Sequence, residues 1–127
     1  GTGSDPNNNS TVLKLSYGNF SLLFTGDLGA VGEASLLDRE LDLGSTVLKV
    51  AHHGSESSSS REFLNAVQPL VAVISVGEGN RYGHPSSGVM ERLRHTLENS
   101  EYLLTTQDQG NVTMITDGNS LMIENQR

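Results

Sequence analysis

Four side chains able to bind a metal ion or move a proton share one kind of position: Asp27, the pair His52-His53, and His84. Each follows a short apolar run. Each also has a small neighbour, Gly26 before Asp27, Gly54 after the pair and Gly83 before His84. Glycine lets a backbone turn sharply and lets a ligand approach closely. A carboxylate with imidazoles and no sulfur suits zinc, manganese or iron. An imidazole can also donate or accept a proton near neutral pH.

Taken singly, each residue has a plainer reading. An Asp after Gly at a strand end is a common turn former. One histidine of a pair can face the core while the other is solvated, and His84-Pro85 alone reads as loop. His95 falls on the last helical segment, where a solvated surface role fits. The Ser55 to Ser60 run reads as a solvated helix entry, because no G-x-S-x-G elbow singles out a nucleophile. Gly77-Glu78-Gly79 lacks the G-K-[ST] ending of a phosphate loop. Coincidence of three such elements at the ends of three strands is what raises them above these readings.

The elements that must position them can be read from periodicity. Thr11 to Tyr17 alternates apolar and polar residues, and Gly18-Asn19 joins it to Phe20 through Thr25 as a hairpin. The second run is almost continuously apolar, which predicts a strand buried on both faces. From Gly32 to Leu41 the residues Ala34, Leu37 and Leu41 recur at helical spacing, with Glu33 and Asp38 outside. Thr46 to Val50 is a strand leading into His52-His53. Ser59 and Glu62 form a capping-box pattern for a helix ending before Pro69. Leu70 to Val76 is a buried strand, followed by a Gly-rich loop, Gly77 to Pro85. A helix from Ser87 to Asn99 precedes three β runs: Tyr102 to Thr106, Asn111 to Thr116 and Leu121 to Glu124. The order ββ-α-β-α-β-α-βββ predicts an α/β fold with a mixed sheet. In such sheets, sites form where neighbouring strands deliver their loops to one edge.

Composition narrows the partners. The chain has 127 residues, which suits one domain, and its 8 Lys+Arg against 15 Asp+Glu give a net charge of −7. That is the wrong sign for gripping nucleic acid through a basic face, though a nuclease whose metals or other portions supply the positive charge is not excluded. Absence of cysteine excludes disulfide frameworks and thiolate metal sites. No run reaches the roughly 18 apolar residues of a membrane span. Residues Gly1 to Ser10 are polar and read as a loop or arm, leaving 11–127 as the domain.

Three segments together carry a resemblance: Phe24-Thr25-Gly26-Asp27, Val47 through Ser55 (VLKVAHHGS), and Ala72 through Ser86 with its Tyr82-Gly83-His84-Pro85 loop. They resemble the metallo-β-lactamase-fold domain of ComEC-type late-competence DNA-uptake proteins, from about Ser10 to Gly118. That superfamily's H-x-H-x-D-H run is missing here. The resemblance is thus to the C-terminal half of an αββα sandwich, and it implies one mixed sheet with helices on one face.

The resemblance implies Asp27 as the carboxylate bridging two metals and His52 as the last metal ligand. His53 would orient its neighbour or a substrate phosphate. His84 would sit near the scissile group, as imidazolium stabilising charge or protonating the leaving oxygen. The implied chemistry is two-metal hydrolysis of a phosphodiester by a nuclease-like domain, using zinc or manganese in the complete domain. An alternative keeps the fold as a non-catalytic assembly module for DNA transport, and another changes the ester. Implied partners are DNA through the parent protein and the N-terminal half of the domain. Membrane contact by this segment is not expected, although the parent would be membrane-embedded with this domain extracytoplasmic. Two further expectations follow. The segment alone binds metal weakly and is inactive, and its uncovered apolar sheet face drives homodimerisation or leaves a marginal monomer.

Overall fold

A computed structural model describes residues 12–76 and 85–125; the arm at 1–10 and the loop at 77–84, with His84, lie outside the described residues. Alternation produces the expected hairpin: β1 (Leu13–Tyr17) pairs antiparallel with β2 (Phe20–Phe24), Leu13 opposite Phe24 and Tyr17 opposite Phe20. Gly18 accepts the left-handed turn at φ +59° that a two-residue connection requires.

β3 (Val47–Lys49), β4 (Val71–Ile74) and β5 (Leu103–Thr105) then add in parallel, in the order β1-β2-β3-β4-β5. The helices α1 (Ala30–Asp38), α2 (Arg61–Val67) and α3 (Ser87–Thr96) each follow one strand and precede the next parallel one. They pack on one face, as the resemblance implies. Leu23, Leu48, Ala72 and Ile74 on the sheet meet Phe63, Leu64 and Val67 of α2 and Val89 and Leu93 of α3. Burial of each such Leu or Phe contributes about 1.5–3 kcal/mol.

The opposite face differs from expectation. The last two strands do not extend the sheet: β6 (Val112–Thr116) and β7 (Leu121–Asn125) form a separate antiparallel ribbon. It lays Val112, Met114, Leu121 and Ile123 over Val47, Val71, Val73 and Leu104. The two hairpin turns are latched, with Asn19 N donating to the Gly118 carbonyl at 2.6 Å. This face is therefore partly covered by the chain itself. What stays open lies toward the sheet edge, where Leu13, Leu15 and Tyr17 are 57–60% exposed. β2 is correspondingly not buried on both faces: Leu23 is buried while Phe24 remains exposed.

Helix α1 is also rotated from its expected setting. Glu33 is fully buried and Ala34 exposed. The Glu33 carboxylate accepts the backbone N–H of Ser59 at 2.5 Å and of Ser60 at 2.9 Å. Both donors lie where the chain enters α2, before any helical carbonyl can satisfy them. Ser60, not Ser59, is the cap, its Oγ accepting from Phe63 N at 3.2 Å. Ser58 and Ser59 are buried, and Ser58 Oγ donates to the Leu28 carbonyl at 2.7 Å. The serine run is a packed corner holding α1 to α2, rather than a solvated entry.

Candidate functional site

Parallel register sets Phe24, Lys49 and Val73 side by side, so β2, β3 and β4 end at one sheet edge. Pairing continues one residue further: Thr25 Oγ1 donates to the Lys49 carbonyl at 2.6 Å, and Val50 N to the Val73 carbonyl at 2.9 Å. The loops beyond these ends carry the residues that the sequence singles out.

After β2 the chain turns through Gly26 at φ +55°, with Leu28 N returning to the Thr25 carbonyl at 3.0 Å. This turn holds Asp27 at the exposed rim. Its carboxylate acts on Lys49, whose half-buried amine is lowered from the usual lysine range by burial, with the Asp27 charge opposing that shift. Sequence reasoning passed over Lys49. The signal was a lone cation inside an otherwise aliphatic strand, at a register position facing the ribbon. Lys49 and Ser75 line a groove of about 370 Å³ between the sheet and β6, together with Phe24, Val73 and Met114.

After β3, Ala51–Gly54 forms a 3₁₀ turn that carries both His52 and His53. The side chain of His52 lies outside the described residues. His53 sits at φ +54°, and its Nδ1 is 2.7 Å from the Ser75 carbonyl at the end of β4. A carbonyl only accepts, so Nδ1 carries the proton, and in the neutral ring Nε2 then keeps its lone pair. This is how proteins commonly set a ligating or proton-accepting imidazole.

The returning loop is anchored on the same turn. Ser86 N donates to the Gly54 carbonyl at 2.9 Å. Ser86 caps α3 through Val89 N and donates its own hydroxyl to Glu56 at 2.5 Å. Glu56 also pairs with Arg92 at 3.2 Å. These bonds, Ser86 first and Arg92 next, hold the Glu56 carboxyl below its ordinary range. Arg92 continues the tie, its Nε donating to the Ser59 carbonyl at 3.0 Å.

Donor chemistry at this edge suits a divalent cation: one hard carboxylate and an imidazole with its second nitrogen fixed. Among the described residues the number of donors falls short: no three His, Asp or Glu side chains gather closely enough to hold a metal ion. Catalytic zinc sites usually take three protein ligands. These residues therefore fit part of a metal site, and no catalytic step is derived through a bound ion.

A family model described as the metallo-beta-lactamase superfamily matches residues 2–78. The chain belongs to that superfamily. The matched region includes Asp27, His52 and His53. The chain is 39% identical over 107 residues to "ComE operon protein 3" of Bacillus subtilis, covering 84% of this chain and 13% of that protein. It is 48% identical over 91 residues to "Competence protein ComA" of Neisseria gonorrhoeae, covering 71% of this chain and 13% of that one. With "Recombination protein 2" of Haemophilus influenzae it shares 42% over 87 residues, 68% of this chain and 11% of that protein. The chain thus spans about one-eighth of the length of the relatives it matches. No solved structure matches it. Among the described residues, no helix is long and apolar enough to cross a membrane.

Proposed function

We propose that this chain is part of a metal-dependent phosphodiesterase domain, nuclease-like, in a DNA-uptake protein. The observation that carries the reading is the meeting of β2, β3 and β4 at one edge, with Asp27 and the histidine turn in loops beyond adjacent strand ends. Competence-protein relatives support the DNA connection.

Asp27 and His52 would hold the metal, with further ligands supplied from outside this chain. His53, tied to Ser75, holds Nε2 ready to orient substrate or to take the ligand place itself. His84 is assigned to the phosphate as a proton donor. A divalent ion, zinc or manganese, would supply Lewis acidity and an acidified water at neutral pH. The remainder of the metallo-β-lactamase domain, DNA, and an extracytoplasmic setting complete the proposal.

The test is cleavage of a bis-aryl phosphodiester and of linear DNA by the longer protein containing this segment, loaded with Mn²⁺ or Zn²⁺. Asp27→Asn is expected to abolish turnover and metal retention while leaving the thermal transition in place. Unchanged metal content and turnover in Asp27→Asn would overturn the proposal and favour a non-catalytic assembly role. A wild type that cleaves only carboxylic or phosphonate esters would keep the hydrolase and replace the substrate.

A further inference from the structure

The chain carries almost twice as many acidic as basic side chains. Yet one cavity, of about 390 Å³, is lined by Arg61, Asn65, Arg92, His95 and Thr96, with no carboxylate among them. It is the groove between α2 and α3. Arg61 and Asn65 stand one turn apart on α2, and Arg92 and Thr96 one turn apart on α3, where positions four apart share a face. Every lining side chain can donate a hydrogen bond.

The charges in this groove are unequally committed. Arg92 spends three of its five N–H donors on Ser58, Ser59 and Glu56, which fixes its guanidinium. Among the described residues, no hydrogen bond or ion pair engages the side chains of Arg61, Asn65 or His95. Structural need therefore accounts for Arg92 and leaves the other three side chains unexplained. Unspent donors spaced along two helices, next to a guanidinium already held in place, match an anion of extended shape. Phosphate oxygens suit guanidinium geometry.

We infer that the α2–α3 groove binds the phosphodiester backbone of a nucleic-acid strand, with Arg61 and His95 as the contacting side chains. Phosphate binding rests on the groove alone; naming a nucleic-acid strand rests on the proposed function. The groove lies on the helical layer, apart from Asp27 and His53. It would hold the strand while its scissile bond is treated elsewhere, a task the net charge otherwise opposes.

Fluorescence anisotropy of a labelled 20-nucleotide single strand tests the inference on this chain, in low salt and without divalent metal. Arg61→Ala and His95→Ala are expected each to weaken binding about threefold or more, and Arg61→Ala to flatten the salt dependence by about 0.7 in log–log slope. Arg61→Lys should retain most of the affinity, and inorganic phosphate at millimolar concentration should compete. Arg39→Ala, beyond the end of α1, is expected to bind as wild type. The inference is overturned if wild type shows no binding, if Arg61→Ala binds equally well, or if Arg39→Ala loses as much. Phosphate-induced NMR shifts at Arg61 and His95 with no binding of the strand would leave an anion groove and remove the nucleic acid. Turnover of the longer protein is a separate readout: Arg61-dependent binding without metal-dependent cleavage sinks the hydrolase reading alone.

Discussion

Gly54 and Pro85 leave no room between them: a Cβ built on Gly54 would lie 2.6 Å from Pro85 Cβ and 3.0 Å from its Cα. Gly54 also sits at φ +79°, where a side chain is strained whatever the space. The turn bearing His53 and the segment entering α3 are thereby locked together. Gly54→Ala is expected to cost about 2 kcal/mol or more in denaturant unfolding. Gly44→Ala, where the nearest atom is a flexible Asp42 oxygen at 3.3 Å, should stay within about 0.5 kcal/mol of wild type. Equal behaviour of the two variants would refute the lock.

Glu33 supplies the second expectation. Its two oxygens satisfy two backbone donors at the entry to α2. Glu33→Ala leaves both unpaired and opens space beneath the serine corner, costing about 3 kcal/mol. Glu33→Gln keeps the volume but turns an NH₂ toward one of those donors, costing about 1–3 kcal/mol. Thermal unfolding should rank wild type, Gln, then Ala; a neutral Ala variant would contradict the role.

The same residue and Glu56 make opposite pH predictions. Burial, the largest influence on Glu33, raises its pKa above 4.5, against the lowering bonds from Ser60 and Ser59. The folded state then binds the proton more readily than the unfolded state, so the Glu33 contribution to stability declines as pH rises through that window. Glu56 is depressed below 4.5 by Ser86 and Arg92. Its contribution is present above 4.5 and is lost as pH falls through the lower, folded value. In melting curves against pH, the gap between wild type and Glu56→Gln should close on acidification below about 4. A gap that widens there would reverse the assignment.

Self-association is expected through β1, the edge strand whose Leu13, Leu15 and Tyr17 present an exposed apolar row. A second copy is the proposed occupant for the chain by itself. Light scattering should show concentration-dependent dimers that Leu15→Lys abolishes. A wild type that stays monomeric at high concentration would exclude this interface.

His53 offers a last measurement. With Nδ1 committed to Ser75, Nε2 is the ring nitrogen left to act. In the longer protein, His53→Asn should lower turnover about tenfold or more if His53 orients substrate or ligates. Metal content then separates the roles, since it falls only if His53 is itself a ligand. Unaltered turnover and metal content would remove His53 from the site.

Much of this molecule was legible along the chain. Periods of two and 3.6 residues, with Gly, Pro and Ser punctuation, are local signals. They placed the strands and helices in order and set Asp27 and His52-His53 just beyond strand ends. The superfamily, too, was readable from TGD, HHGS and YGHPS. Tertiary structure decided what depends on residues distant in sequence. Glu33 turned inward because two N–H groups 26 and 27 positions away needed an acceptor. The last hairpin left the sheet because its apolar face found Val47, Val71 and Val73 to cover. The His53 ring was set by a carbonyl 22 residues on, and Lys49 acquired its environment from β6 and Asp27. Periodicity reports which side of an element is apolar; only packing determines which polar group is left to satisfy another.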